Sequence, residues 1–327
     1  MAEDHHSLAF TGPLSLFGTL SLTLDKMRRD GVVEFARMLT ALFKSEPPLA
    51  AIARHREVVA FFNQREMAPL QSRLLANKYL GGYLARSLGK CARRDILLHH
   101  YRRVFRSAEP GFLHRVVTGQ YQLWRREDAG ICYSIALSFD PLTHYEGDLS
   151  VVFMSGSQQI LRISFSFVPG PAIGSDTAEL LFVGHVQGTK HKFDEIKQAT
   201  KACHDVAPQH MLMVAIQSIA QALRIKAIAG VTDENQLAKL PERNVSFQYD
   251  PFWENWAGRR TAGFYEIPVP LPQTELRDIQ ASHRRRTRKK REFKSKVALA
   301  IAGQLGIIFP RPCQMKAQAR ASMVRSV

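Results

Sequence analysis

The spacing of apolar residues along the chain changes twice. Up to about residue 107 it is helical: Pro47-Pro48 precedes Leu49, Ile52, Val58, Val59, Phe61 and Phe62, and Asp95 to Phe105 carries Ile96, Leu97, His100, Tyr101 and Val104. A helical N-terminal region is predicted. From Phe112 the period shortens to two, with Val117, Gly119, Tyr121 and Leu123 alternating. Further apolar runs follow at Ile131 to Phe139, Leu149 to Met154, Ile160 to Val168 and Glu179 to Val186, separated by Gly, Pro and Asp. Strands in this succession predict an antiparallel meander.

After Gly188 the helical period returns. Phe193 to Cys203 reads as one helix, and Pro208 opens a second, running to residue 224, whose core face is Leu212, Ala215, Ile216, Ile219, Ala222 and Leu223. Ile225 to Val231 then reads as a buried strand. Strand, helix and strand in this order require a crossover, so the two strands are predicted to lie parallel and close in one mixed sheet. Beyond Pro268, Pro270 and Pro272 a long basic helix is predicted from about Thr274 towards Gln304. The expected organisation is α+β: a helical region over 1–107, a mixed core over 108–272, a basic helix within 273–310 and a flexible tail over 311–327.

Composition adds little to this picture until charge is located. The net charge of +16 is concentrated in residues 284–327, where thirteen Lys and Arg face the single Glu292 and contribute +12. The rest carries about +4 and describes an ordinary body with a cationic appendage. Cys91, Cys132, Cys203 and Cys313 form no C-x-x-C pair, so no zinc ribbon or disulfide framework is expected. The start Met-Ala-Glu-Asp-His-His lacks the basic segment of a signal peptide, and the apolar stretch from Leu8 to Leu24 is broken by Gly12, Pro13 and Gly18. Val297 to Phe309 is about 13 residues, where a membrane span needs roughly 20. The expectation is a cytoplasmic protein without an integral span, with peripheral contact to the inner membrane open.

Several pieces, taken in order, carry a family resemblance. They are His100-Tyr101, Leu123-Trp124-Arg125, Glu146-Gly147-Asp148-Leu149-Ser150, Gly184-His185-Val186-Gln187-Gly188, Ala199-Thr200-Lys201-Ala202, Tyr249-Asp250-Pro251-Phe252-Trp253 and the basic run Ser282 to Arg291. The chain resembles the VirK/YbjX family of Gram-negative bacterial proteins over nearly its whole length. The resemblance implies an intracellular protein linked to envelope properties, virulence and resistance to cationic peptides, and it implies no particular reaction. Where the family pattern has Gly-Leu-Arg-Pro-Lys before the long helix, this chain has Asp205-Val206-Ala207-Pro208-Gln209-His210 and lacks both cations.

The segment from Glu179 to Asn235 also resembles, as a fold skeleton, the centre of GNAT-type acyltransferases, although the glycine-rich pyrophosphate loop is absent. On that skeleton the N-terminus of the 208–224 helix, with His210, would face the phosphates of an acyl carrier such as acyl-CoA or acyl carrier protein. His185 is the candidate base, Gln187 and Gly188 a ligand-facing strand end, and Asp233, Glu234 and Asn235 a cluster at the next strand end. Each also has a plain structural reading. His144 and Asp148 match the His-x-x-x-Asp spacing of some acyltransferases, but a solvated hairpin loop is the better reading there. No metal site is expected. Gln187→Ala and Asp233→Ala are expected to abolish function and leave stability alone.

The basic helix offers a different class of function. Arg284, Arg285, Arg286, Arg288, Lys289, Lys290 and Arg291 are candidates for an anionic surface, either membrane lipid or nucleic acid. Two readings therefore stand: an acyltransferase-like enzyme, or a non-catalytic adaptor held by the basic helix. A deep cleft lined by His185, Gln187 and Asp233 would favour the enzyme, and a filled one the adaptor.

Overall fold

A computed structural model describes residues 36, 38–44, 46–64, 75–139, 145–189, 191–237 and 247–310 of the chain. The apolar stretch Leu8 to Leu24, His144, Cys313 and the tail from residue 311 lie outside the described residues. The chain divides into two compact units, Met1–Gln64 and Arg65–Val327. In the first unit helix α1 (Pro48–Asn63) starts on a proline that needs no amide partner, and it buries Ala51, Val58 and Phe62.

The second unit is built on an eight-stranded sheet of order β1-β2-β3-β4-β5-β6-β8-β7. β1 (Tyr121–Asp128), β2 (Ile131–Ser138), β3 (Leu149–Ser155), β4 (Gln158–Pro169) and β5 (Glu179–Gly188) form the expected antiparallel meander. The alternation read at Val117 and Gly119 belongs instead to the end of helix α3 (Phe112–Thr118), which buries Phe112 and Val116 one turn apart. Helix α2 (Lys90–Ser107) packs on β4, so it belongs with the sheet. Both alternating sets of β4 side chains are buried, which means both faces of that strand are covered.

The crossover is observed. Helices α4 (Phe193–Ala202) and α5 (Pro208–Ala222) lead from β5 to β6 (Ala227–Val231), and the two strands are adjacent and parallel. The buried face of α5 includes Leu212, Ala215, Ile216 and Ile219, while Ala222 is exposed because the helix ends there. Arg224 adopts φ 59°, its amide donates to Gln221 O at 3.0 Å, and Ile225 N donates to Ala220 O at 2.8 Å. That pair of bonds is a Schellman termination, which usually uses glycine and here stops the helix short of the expected residue 224.

Two short strands escaped the hydrophobic pattern. β7 (Arg259–Arg260) and β8 (Phe264–Pro268) extend the sheet beyond β6. Between β6 and β8 the chain forms helix α6 (Tyr249–Glu254). Trp253 of α6 lies over Gly230, where any Cβ would overlap the indole, and its Nε1 donates to Val231 O at 2.8 Å.

Helix α7 (Ala281–Ile308) is half-buried despite its density of cations. Phe293, Val297, Ile301, Leu305 and Ile308 recur at four and three and face inwards, against α5 and β1. Phe293 meets Trp124 at 6.2 Å between ring centroids, and the Arg126 guanidinium sits 5.7 Å from its ring.

Candidate functional site

The strand ends after β5 and β6 converge as the topology requires, but the space between them is occupied. β5 and β6 pair only through Leu181 to Val183 against Ile228 to Gly230, and the fully buried Tyr249 stands by the later part of β5. Its hydroxyl accepts from Val186 N at 3.1 Å and lies 3.4 Å from Gln236 Nε2. Burial pushes the Tyr249 phenol up, and the nearby Glu146 and Asp233 carboxylates add to the shift. This phenol stays neutral and acts as a structural plug.

The predicted site residues are placed separately around that plug. His185 is buried, opposite Ser164 in β4, with Nε2 3.5 Å from Glu146 Oε2. Gln187 and Gly188 are exposed at the end of β5, and Gly188 could carry a Cβ at ordinary contact distance, so no close approach demands glycine there. Asp233 accepts from the amides of Tyr249 (2.9 Å) and Asp250 (3.1 Å) and thus satisfies the first donors of α6. Asn235 is also committed to structure: Nδ2 donates to Thr232 Oγ1 at 3.0 Å and to Gly263 O at 3.2 Å. His210, in the first turn of α5, packs on Trp256 with centroids 5.2 Å apart. Burial lowers its pKa to about 4, helped by Lys294 and Lys290.

Asp148 is the largest departure from expectation. Far from a solvated loop, it is completely buried and accepts from Lys78 Nζ at 2.7 Å, Ser166 Oγ at 2.5 Å, Tyr101 Oη at 3.2 Å and the Tyr83 hydroxyl. Burial alone would raise this carboxyl, but the adjacent Lys78 ammonium, His100 and these hydrogen bonds hold it well below the usual carboxylate range. Gly147 allows the loop to press on β4, since a Cβ there would lie 2.6 Å from Phe165 N. His100 accepts from Phe167 N at 3.1 Å and stacks on the Phe167 ring. Lys78 and Tyr83 were not legible as partners of Asp148, because they lie 70 and 65 residues away and no local periodicity links them.

Of the seven cations assigned to an anionic surface, Arg284, Arg285, Arg288 and Lys289 are solvent-exposed. Arg284 is braced by the carbonyls of Ile279 and Arg277, and the exposed Arg286 pairs with Asp205 at 3.0 Å. Lys290 and Arg291 are half-buried on the flank of α7, with Arg291 donating to Thr274 O at 2.6 Å. The outward face continues beyond the cations. Arg285, Lys289, Glu292, Lys296, Leu299, Gly303 and Ile307 follow one another at intervals of three and four and are all exposed, Leu299 by 75% and Ile307 by 56%.

Beside that flank an open groove of about 390 Å³ runs between α5, Trp256, the Pro270 to Thr274 segment and α7. Arg291 and Lys294 supply its charge, and among the described residues no Asp or Glu lines it. Among the described residues no helix is long and apolar enough to cross a membrane, and no group of three or more His, Cys, Asp or Glu could hold a metal ion.

Comparison with known proteins places this architecture in a family. The chain is 28% identical over 238 residues to "Uncharacterized protein YbjX" of Escherichia coli K12, covering 69% of each protein. It is 24% identical over 171 residues to an uncharacterized protein of Haemophilus influenzae, covering 51% of this chain and 56% of that one, so it spans little more than half that relative's length. No solved structure matches. The family model described as "Protein of unknown function (DUF535)" matches residues 49–302, which hold the sheet, the crossover and most of the basic helix, and the chain belongs to that family.

Proposed function

We propose that the protein is a non-catalytic adaptor that attaches to an anionic lipid leaflet through the outward face of α7, on the cytoplasmic side of the inner membrane. The observation that carries this reading is the order of residues along the exposed stripe. Arg285, Lys289 and Lys296 come first, with the single acid Glu292 among them, and Leu299 and Ile307 follow on the same face with only Gly303 between them. Such an order lets cations meet head groups while apolar side chains enter the acyl boundary. Each exposed cation near an anionic leaflet contributes about 1 kcal/mol, and the apolar pair adds area that lipid can cover.

Nucleic acid fits less well. Binding of single strands uses aromatic stacking platforms, and the one aromatic within the basic run, Phe293, is buried under Trp124 and Arg126. Acyl transfer at the β5 and β6 strand ends is less well supported, because the buried Tyr249 is hydrogen-bonded to Val186 beside those ends.

Cosedimentation with phosphatidylglycerol vesicles, with neutral phosphatidylcholine as control and duplex DNA as competitor, tests this reading. The full chain should pellet with the anionic vesicles only, and Arg285→Glu/Lys289→Glu/Lys296→Glu should stay in solution while folded. Equal pelleting of the triple variant would overturn it, as would a preference for the duplex.

A further inference from the structure

The groove beside α7 has features that the surface reading does not use. Lys294 is half-buried in its wall and, among the described residues, has no carboxylate partner. Its ammonium is pushed down by burial and then by Lys290 and Arg291, so three cations are held close together. An anion would relieve that repulsion. Arg291 donates one N–H to Thr274 O and has others to offer.

An independent observation comes from α5. Gln217 lines the groove, is only 7% exposed, and its Oε1 has no hydrogen-bond partner, while its Nε2 makes a long 3.4 Å contact to Pro268 O. A buried amide oxygen without a donor from the protein is costly, and a ligand hydroxyl or N–H would satisfy it. Trp256 also lines the groove and offers a flat apolar surface, held by His210 and Phe252. Cation pair, acceptor and aromatic plane together describe an anionic ligand with hydroxyl groups and a carbon face.

We infer that the groove binds the phosphate ester of a polyol or sugar, with the phosphate at Arg291 and Lys294, a hydroxyl donating to Gln217 Oε1 and the carbon skeleton against Trp256. The volume of about 390 Å³ lies in the range of small-molecule sites. The same chemistry could arrive as a soluble metabolite or as the head group of a lipid. This inference is separate from attachment through the outward stripe, since Arg285, Lys289, Leu299 and Ile307 do not line the groove.

The test follows the Trp256 indole N–H resonance of the full chain, assigned with Trp256→Phe, during titration with sn-glycerol 3-phosphate, glucose 6-phosphate, inorganic phosphate and glycerol. Both esters should shift it saturably, phosphate more weakly and glycerol not at all. Lys294→Met and Gln217→Leu should each weaken ester binding roughly tenfold, the loss expected for a hydrogen bond to a charged or buried group. Far-UV circular dichroism and the Trp124 and Trp253 resonances should stay unchanged, which separates lost binding from lost folding. Short-chain phosphatidylglycerol below its micelle concentration distinguishes the sources: tighter binding than glycerol phosphate marks a lipid head group, and equal binding a soluble ester. An unmoved Trp256 resonance with every ester up to roughly 10 mM, or variants that titrate like the parent, would overturn the inference.

Discussion

Asp233 and Asp250 cap each other's backbone. The Asp250 amide donates to Asp233 Oδ2 at 3.1 Å, and the Asp233 amide donates to Asp250 Oδ1 at 2.8 Å. The exchange fixes the start of α6, and with it Tyr249 beside β5 and Trp253 over Gly230. The carboxylate read from the sequence as a candidate catalytic group thus caps a helix here, and its loss would loosen the plug between the strand ends.

This distinction gives opposite expectations for two variants that the sequence treats alike. Asp233→Ala should cost about 1–2 kcal/mol, the usual loss for a cap, with the neighbouring packing adding to it. Gln187→Ala, on an exposed strand end, should stay within about 0.5 kcal/mol of the parent. Urea unfolding of the two variants measures both values, and equal midpoints would contradict the capping role.

The Lys78–Asp148 pair supplies a larger effect. Both groups are removed from water, so Lys78→Met leaves a buried carboxylate held only by hydroxyls and should destabilise by about 3–5 kcal/mol. Lys78→Met combined with Asp148→Asn should cost less than the sum of the single changes, because each single change strands a charge or its partner. A double-mutant cycle in urea reads this directly, and additive losses would argue against coupling.

How far the sequence revealed these features depends on whether their signal was local. The meander and the core face of α5 were readable because periods of two and of three to four are properties of short windows, and the parallel β5–β6 pair followed from the single helical face between them. The buried stripe of α7 was readable in principle, since Phe293, Val297, Ile301 and Leu305 are four apart, but the cation density masked it. Asp148 was not readable. Tyr145 to Asp148 has the composition of a turn, and only the arrival of Lys78, Tyr83 and Tyr101 from distant segments makes it core. The groove was similarly hidden, as Gln217, Trp256 and Lys294 come from three separate elements.

Two histidines link this core to pH. His100 is fully buried, and burial, with Lys78 and His99 adding to it, lowers its pKa to about 4 despite the opposing Asp148 and Glu179. A folded pKa below the unfolded value of 6.5 means that the unfolded chain binds more protons between those limits. Stability is therefore complete above about pH 6.5 and declines as pH falls towards 4, by up to about 3 kcal/mol for His100. His210, which is partly exposed, should contribute less in the same window. His100→Asn keeps an acceptor for Phe167 N but cannot titrate, so it should flatten the slope of unfolding free energy between pH 6.5 and 4. An unchanged slope would place the acid sensitivity elsewhere.

The half-buried state of α7 changes what removal of the basic segment would do. Charge location alone makes residues 284–327 look like a detachable appendage, but deletion would remove Phe293, Val297, Ile301, Leu305 and Ile308 from α5 and β1. At about 1.5–3 kcal/mol per buried side chain the loss is on the order of 10 kcal/mol, comparable to the whole stability of a typical domain. The truncated chain should therefore unfold or aggregate, and its failure to bind vesicles would say nothing about the charges. Outward substitutions avoid this. Leu299→Asp, on a residue 75% exposed, should leave the melting temperature within a few degrees and weaken vesicle attachment, whereas Ile301→Asp, two residues further on the opposite and fully buried face, should prevent folding. Attachment by the folded Leu299 variant should retain the steep salt dependence of the remaining cations, which are screened over about 8 Å at physiological ionic strength. Vesicle binding by Leu299→Asp equal to that of the parent would remove the apolar half of the stripe from the mechanism.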